Sequence, residues 1–209
     1  MGTEGSARGR FVVLDGIDGC GKSTQARRLA DRLGEATGRR THHLREPGST
    51  ALGEALRALL LSRAHRPGPK VETLLFAAAR AQMLEELVAP ALARGEHVVC
   101  ERFHPSTFAY QAVAGGLDEE LVLGLLNGFA NDPRPDVVVL LDLPVQAALA
   151  RRGAATDRIE DKGAEFQERV ARGYRRYAER VGGTVILRAD RPEEEVARDV
   201  WTEVERAFR

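Results

Sequence analysis

The fold of this chain is decided by Gly16–Thr24, which reads GIDGCGKST. It fits the pattern of Gly, four residues and Gly-Lys-Ser/Thr, in which glycines let backbone N–H groups surround an anion. The apolar run at 11–15 predicts a buried strand before it, and the helically spaced apolar residues of 25–33 predict a helix after it. We therefore predict a phosphate-binding loop in a nucleoside triphosphate enzyme, with Lys22 on the outer phosphates and the Ser23 hydroxyl on Mg²⁺.

Length and composition favour a single cytoplasmic domain. The 209 residues suffice for one full core, and 31 Lys and Arg residues balance 31 Asp and Glu residues. This balance predicts no binding to nucleic acid or to a membrane surface, and no apolar run is long enough to span a bilayer. The polar, glycine-rich residues 1–9 predict a flexible tail before one domain at 10–209. The two cysteines, Cys20 and Cys100, suit a reducing compartment without disulfides.

Strands and helices alternate along the whole chain. Short β-branched runs predict strands at 11–15, 41–44, 97–100, 137–142 and 184–187. Helical spacing of apolar residues predicts helices at 25–33, 52–60, 71–93, 117–129, 145–151, 165–181 and 193–208. This alternation predicts an α/β fold with a parallel sheet and helices on both faces.

The loops that follow the strands are expected to share one cleft. Right-handed crossovers bring the carboxyl ends of parallel strands to the same edge of the sheet. The segments that we expect there are Gly16–Ser23, Arg45–Gly48, Glu101–Gln111 and the residues after Asp142.

Two charged residues follow the third predicted strand. Glu101 can hold Mg²⁺ or its water ligands, and Arg102 can bind a phosphate with two hydrogen bonds. The alternative is a Glu–Arg pair on the surface. Asp142 also ends a strand and is a rival for the metal, although Pro144 after it favours a capping role.

Aromatic and polar residues offer contacts for a base and a sugar. Phe76 and Arg80 are four residues apart on the long helix, so one face could stack and hydrogen-bond a nucleobase. From spacing alone, a core Phe beside a solvated Arg is the better interpretation. Tyr110 and Gln111 carry polar tips that suit a sugar or a base, and a buried Tyr with one hydrogen bond is almost as good an interpretation.

The stretch 151–162 is arginine-rich and contains a glycine break. Arg151, Arg152 and Arg158 predict a flexible cationic lid, which would cover a migrating phosphoryl group and exclude water. A solvated turn between two helices has equal weight. The sequence does not decide between these interpretations.

Four stretches resemble bacterial thymidylate kinases, which are nucleoside-monophosphate kinases. They are FVVLDGIDGCGKSTQ, REPGST, ERFHPSTFAYQ and RRGAATDRIED, and the helix with LLFAAARAQM supports them. The resemblance covers nearly the whole chain. It implies a three-layer P-loop NTPase fold with five parallel strands and a short lid. It also implies Mg²⁺-dependent transfer of the ATP γ-phosphoryl group to dTMP for dTTP biosynthesis, usually by a homodimer.

The resemblance also implies roles for individual residues. Lys22 and Ser23 would hold the ATP phosphates and Mg²⁺, with Glu101 at the metal shell, and Arg102 would grip the dTMP phosphate. The loop residues implied for ATP are Gly16, Ile17, Asp18, Gly19, Cys20, Gly21, Lys22, Ser23 and Thr24. The residues implied for dTMP are Asp18, Arg45, Pro47, Phe76, Arg80, Arg102, Ser106, Thr107, Tyr110 and Gln111. Among them Phe76 would stack on thymine, Arg80 would hydrogen-bond it, and Tyr110 would lie against the sugar.

The family divides by the position of a catalytic arginine, in the phosphate loop or in the lid. Gly19 occupies the loop position here, so the chain resembles the lid-arginine type, with Arg152 or Arg158 as the candidate. Two positions depart from the family pattern: Glu101 replaces an Asp, and Ser49 follows Gly48 where a second Gly is common.

Two other functions compete. A deoxynucleoside kinase also carries Glu-Arg-Ser after a strand, but Phe103 stands here in place of the serine. A GTP-dependent switch would read guanine through Asn-Lys-x-Asp, and the run 131–133 is not that motif. We expect dTMP to be the acceptor.

Overall fold

A computed structural model describes residues 8–154 and 157–208 of the chain. They form a five-stranded parallel sheet with the strand order β2-β3-β1-β4-β5. The strands are Phe11–Asp15 (β1), Thr41–Arg45 (β2), His97–Glu101 (β3), Val137–Asp142 (β4) and Thr184–Arg188 (β5). The predicted α/β class and parallel sheet are confirmed.

Helices cover both faces of the sheet, as the alternation of elements predicts. They are Lys22–Thr37 (α1), Ala51–Leu61 (α2), Pro69–Met83 (α3), Ala89–Ala93 (α4), His104–Thr107 (α5), Glu119–Phe129 (α6), Val145–Arg152 (α7), Gly163–Arg180 (α8) and Glu193–Ala207 (α9). Two π-helical turns, Leu84–Val88 and Phe108–Val113, follow α3 and α5, and a 3₁₀ turn, Glu160–Lys162, precedes α8.

The central strand β1 is buried along its whole length because helices cover both of its faces. Val12 and Leu14 belong to one apolar cluster with side chains of α1 and α9. Phe11 and Val13 point the other way and join the cluster around Met83. Each fully buried side chain of this size contributes about 1.5–3 kcal/mol to stability. The edge strands β2 and β5 are only partly buried.

Several element boundaries differ from the prediction. The predicted helix 71–93 begins at Pro69, and a π-helical turn separates α3 from α4 just before Pro90, which lacks the N–H of a regular α-turn. Helix α6 begins at Glu119, because the Asp118 side chain accepts a hydrogen bond from Leu121 N at 2.8 Å and caps it. Thr50 caps α2 in the same way through Gly53 N.

The helical segment after β3 is missing from the prediction. Helix α5 and the following π-helical turn cover 104–113, a range interpreted above only as part of the cleft. Pro105 in the first turn of α5 is the local signal for that helix.

The predicted tail at 1–9 falls mostly outside the described residues, which begin at Arg8. Gly9 is buried and its N–H donates to Leu92 O at 2.9 Å, so this end of the predicted tail is held against α4. Within 8–154 and 157–208, no helix is both long and apolar enough to cross a bilayer.

Candidate active site

The phosphate loop joins β1 to the N-terminus of α1. Gly16, Gly19 and Gly21 have φ values of 146°, 86° and 93°, a backbone region that other residues rarely adopt. A Cβ on Gly19 would lie 2.2 Å from Ala148 O of α7, so no side chain fits there. Lys22 Nζ lies 3.0 Å from Asp18 Oδ1 and 3.3 Å from Ile17 O, which places its charge over the loop.

The other predicted loop residues fall into two groups. Ile17 and Cys20 are buried in the apolar core, and burial raises the pKa of the Cys20 thiol, so they contribute backbone rather than side chains to the loop. Thr24 lines a pocket of about 270 Å³ with Gly19, Gly21 and residues of α9. The loop therefore presents backbone N–H groups, one ammonium group and one exposed hydroxyl, on Ser23.

The Ser23 hydroxyl donates a hydrogen bond to Glu101 Oε2 at the end of β3. His43 Nε2 lies 2.7 Å from the other carboxylate oxygen. Burial alone would raise the pKa of Glu101, but the His43 and Ser23 hydrogen bonds outweigh it and lower that pKa. The result is an ionised carboxylate beside a hydroxyl at the phosphate loop.

These oxygen atoms are of the kind that Mg²⁺ prefers. Asp142, the rival carboxylate, lies 3.0 Å from Arg175 on the surface and forms an ion pair there. Among the described residues, no three His, Cys, Asp or Glu side chains gather into a ready metal site. Proteins hold Mg²⁺ with one or two side chains together with substrate phosphates, and Ser23 and Glu101 are the residues that could do so here.

A cavity of about 190 Å³ opens beside the loop, between the ends of the strands and the lid. Asp18 forms part of its wall, so the loop and the cavity share this residue. Nine of the ten residues predicted for dTMP line the cavity, namely Asp18, Pro47, Phe76, Arg80, Arg102, Ser106, Thr107, Tyr110 and Gln111. Arg45 does not, because its exposed side chain pairs with Glu54 at 3.1 Å.

Arg102 occupies the end of the cavity nearest the phosphate loop. It donates to Asp18 Oδ1, to Ser106 Oγ at 2.9 Å and to Tyr174 OH at 3.2 Å. Its φ of 69° is strained for a residue with a side chain, and such strain concentrates at functional sites. Glu101 and Arg102 therefore bind different partners, and the surface-pair interpretation is wrong.

The Asp18 carboxyl lies between two cations. Burial acts to raise its pKa, but Arg102 and Lys22 outweigh burial and hold the pKa far below its ordinary value. Asp18 is therefore ionised, and its hydrogen bonds to both cations join the phosphate loop to the cavity. Tyr110 OH also lies 3.3 Å from Asp18 Oδ2.

Arg80 occupies the other end of the cavity and is only 1% exposed. The interpretation from spacing, a solvated arginine, is therefore wrong. Its Nε donates to Glu46 Oε2 at 2.7 Å, its Nη2 donates to Thr107 Oγ1 at 3.0 Å, and its guanidinium lies 4.8 Å from the Phe103 ring centre. Its Nη1 is buried and has no hydrogen-bond partner within the described part of the chain. Phe76, one turn earlier on α3, also lines the cavity.

The lid arginines have different surroundings. Arg151 and Arg152 end α7, and Arg151 Nη1 donates to Ala189 O at 3.2 Å. Arg152 Nε and Nη1 are buried and find no partner in 8–154 or 157–208. Arg158 donates to Leu60 O at 2.7 Å and to Glu72 Oε1 at 2.6 Å, so it is not simply solvated. Ala155 and Thr156 of the predicted lid lie outside the described residues.

The comparisons with known proteins agree with this geometry. A family model described as thymidylate kinase matches residues 14–200. The chain belongs to the thymidylate kinase family. It is 46% identical to the thymidylate kinase of Synechococcus sp. (strain WH7803), over 90% of this chain and 91% of that protein. It is 42% identical to the thymidylate kinase of Rhodopseudomonas palustris (strain ATCC BAA-98 / CGA009), over 95% of this chain and 90% of the relative.

A solved thymidylate kinase supports the same assignment. The crystal structure from Ehrlichia chaffeensis superimposes with a TM-score of 0.76 at 29% identity, covering 94% of this chain and 99% of that one. The predicted P-loop NTPase fold and the family resemblance are thus confirmed.

Several residues at the candidate site were not predicted from the sequence. Asp15 is fully buried and accepts from Gly16 N, Phe103 N, Ser106 N and Tyr174 OH, at 2.8 to 3.0 Å. It ends the apolar run FVVLD, and a charged residue there is the available sequence signal. Arg57 lines the cavity instead of Arg45 and donates to Pro47 O at 3.1 Å. No local pattern distinguishes it from the other arginines.

Proposed function

We propose that this chain transfers the γ-phosphoryl group of ATP to dTMP, which gives dTDP and ADP for dTTP biosynthesis. Membership of the thymidylate kinase family assigns the reaction. One observation carries the assignment of the site: Asp18 binds both Lys22 of the phosphate loop and Arg102 of the cavity. A donor phosphate on the loop and an acceptor phosphate in the cavity are therefore neighbours, as phosphoryl transfer requires.

The loop is the proposed donor site. Its N–H groups and the N-terminus of α1 bind the ATP phosphates, and Lys22 turns from Asp18 towards the outer phosphates. Ser23 and the ionised Glu101 would hold Mg²⁺ or its water ligands. Bound Mg²⁺ neutralises charge on the phosphates.

The cavity is the proposed acceptor site. Arg102 binds the dTMP phosphate, and Arg57, which lines the cavity where Arg45 does not, is a second cation for it. At the far end, Phe76 stacks on thymine while Arg80 and Thr107 hydrogen-bond its edge. Tyr110 lies between the two ends and contacts the deoxyribose.

Arg152 is the proposed transfer-site arginine. Among the described residues, Arg158 uses two of its three nitrogens on Leu60 and Glu72 and has one buried nitrogen without a partner, whereas Arg152 has two such nitrogens. A donor without a partner is free to bind the charge that develops on a transferring phosphoryl group. Arg158 then has a supporting role.

The acceptor is tested by following ADP release with dTMP, dUMP and thymidine as alternative substrates. We expect dTMP to be used fastest, because a nucleoside lacks the phosphate that Arg102 binds. Lys22→Met is expected to abolish turnover without loss of the fold, and Lys70→Met, at an exposed lysine of α3, is the matched control. Faster turnover of thymidine than of dTMP would support a deoxynucleoside kinase instead.

A homodimer is the proposed assembly. Large apolar side chains are exposed on α2, α3 and α6, three helices that pack side by side. They are Leu52, Leu59, Val71, Leu74, Leu121 and Phe129. Apolar residues grouped in this way mark association surfaces. Light scattering of the purified protein is expected to give twice the chain mass, and the monomer mass would refute this. We place the enzyme in the cytoplasm, in line with its buried, free cysteines.

A further inference from the structure

Glu72 is a buried carboxylate of α3 that the reaction described above does not use. Its side chain is 3% exposed, and its two oxygens face different parts of the molecule. Oε1 accepts from Arg158 Nη1 at 2.6 Å and lies 3.8 Å from Lys162 Nζ, so this oxygen faces the lid. Oε2 accepts from Gln111 Nε2 at 2.9 Å, so this oxygen faces the wall of the acceptor cavity.

We propose that Glu72 is a positioning residue that couples the lid to the acceptor end of the cavity. The inference rests on the proposed function, in which the cavity lined by Gln111 binds dTMP. Glu72 connects three segments that are far apart in sequence: α3, the π-helical turn 108–113 and the lid. The oxygens of a buried carboxylate need hydrogen-bond donors in place of water, and Arg158 and Gln111 donate to the two oxygens of Glu72, so one orientation of the carboxylate serves both contacts.

The contacts of Arg158 connect Glu72 to the part of the lid that lines the cavity. Arg158 is not part of the cavity wall, but its neighbours Asp157 and Ile159 are. Arg158 donates to Glu72 on one side and to Leu60 O on the other, and these bonds fix the backbone between its neighbours. Glu72 therefore determines where that part of the lid stands against the acceptor.

A second ion pair also contacts the lid, from the segment after α2, and serves as the control. Arg63, just after α2, lies 2.8 Å from Asp161, and the two side chains are 59% and 44% exposed. Exposed pairs contribute little to stability because water and salt screen them. If a buried carboxylate positions the lid, replacing Glu72 should change dTMP binding and the protection of the lid, whereas replacing Arg63 should change neither.

The test compares wild type, Glu72→Gln, Glu72→Asp and Arg63→Ala by steady-state kinetics and by amide hydrogen exchange. In the wild type, dTMP alone is expected to slow exchange at 157–163. Glu72→Gln is expected to lose this protection and to raise KM for dTMP about tenfold, while KM for ATP changes less than about twofold. Glu72→Asp keeps the charge and recovers part of both effects. Arg63→Ala behaves like the wild type.

Wild-type protection and wild-type KM for dTMP in Glu72→Gln would overturn the proposal. If Glu72→Gln does not fold, Gln111→Leu is used at saturating dTMP, because it leaves the Arg158–Glu72 pair intact. Loss of dTMP-dependent protection at 157–163 in that variant supports the coupling, and retained protection overturns it. A wild-type enzyme that does not phosphorylate dTMP would reject the proposed function itself, which is a separate result.

Discussion

The two ends of the acceptor cavity each hold an arginine, partly buried for Arg102 and buried for Arg80, and the carboxylates beside them differ. At the loop end, Asp18 faces Arg102 and Lys22, and the two cations hold its pKa far below the ordinary value despite burial. At the base end, Glu46 faces Arg80 alone, and burial raises the pKa of Glu46 to about 7.

The number of cations and the depth of burial together explain this difference, because the Asp18 side chain is 24% exposed and the Glu46 side chain is 4% exposed. One guanidinium does not offset the cost of burying Glu46, whereas two cations more than offset that cost for Asp18. The loop end is therefore built around fixed charges, which suits binding of a phosphate dianion. The base end presents a buried donor without a partner among the described residues, Arg80 Nη1, which suits recognition of a neutral base.

Removing charge at the loop end is expected to have the largest effect. Arg102→Ala should lower kcat/KM for dTMP about a thousandfold, because it removes the phosphate ligand and leaves Asp18 to repel the substrate. Steady-state kinetics at several dTMP concentrations measure this. Arg102→Lys keeps a charge and should recover part of the loss, and a loss below fivefold would remove Arg102 from the phosphate site.

Removing the donor at the base end is expected to have a smaller effect on rate and a larger effect on selectivity. Arg80→Met should lower kcat/KM for dTMP about thirtyfold, in line with loss of a charged hydrogen bond. Arg80 Nη1 is a hydrogen-bond donor. It therefore favours thymine, which has the carbonyl oxygen O4, over cytosine, which has an amino group at the same ring position. The dTMP over dCMP preference should therefore fall, and an unchanged preference would mean that Arg80 does not contact the base.

The raised pKa of Glu46 predicts a pH-dependent stability. Its folded pKa of about 7 lies above the ordinary value of 4.5, so its contribution is complete below pH 4.5 and is lost as the pH rises through 7. Relative to Glu46→Gln, the wild-type free energy of unfolding should fall by about 2 kcal/mol between pH 5 and 8. Urea unfolding across this range measures it. Glu54→Gln, at an exposed carboxylate, is the control that should follow the wild type.

Removing the hydroxyl of Tyr110, which lies between the two ends of the cavity, is expected to have the smallest effect on substrate selectivity. Tyr110 OH lies 3.3 Å from Asp18, so Tyr110→Phe removes one weak hydrogen bond beside the sugar. The preference for dTMP over ribosyl-TMP should fall about threefold. Competition between the two acceptors in one reaction measures this, and an unchanged ratio would assign Tyr110 to core packing.

The sequence predicts the loop end of the cavity better than its base end. The loop lies within nine contiguous residues, and its strand and helix are visible as local apolar patterns, so both are confirmed. The base end depends on Glu46, Arg80 and Thr107, which meet only after folding. Helical spacing shows that Phe76 and Arg80 share a face but not whether that face is buried. For this reason the spacing alone favours a solvated Arg80, whereas the family resemblance implies that Arg80 contacts the base.

The buried carboxylates were missed for the same reason. Asp15 and its partner Tyr174 are 159 residues apart, and Glu72 and Arg158 are 86 residues apart. No local pattern predicts such pairs. An acidic residue that the chain buries marks where partners must exist, but identifying those partners requires the topology.

The close approach of Gly19 to Ala148 O limits how the site could be redesigned. An engineer who grafts an arginine onto the loop at this position must first retract α7, because the first side-chain carbon already collides with its backbone. That helix ends in Arg151 and Arg152, so retracting it would also displace these two arginines. In this scaffold the two arginine placements exclude one another sterically, and exchanging them takes a coordinated change of loop and helix rather than a point mutation.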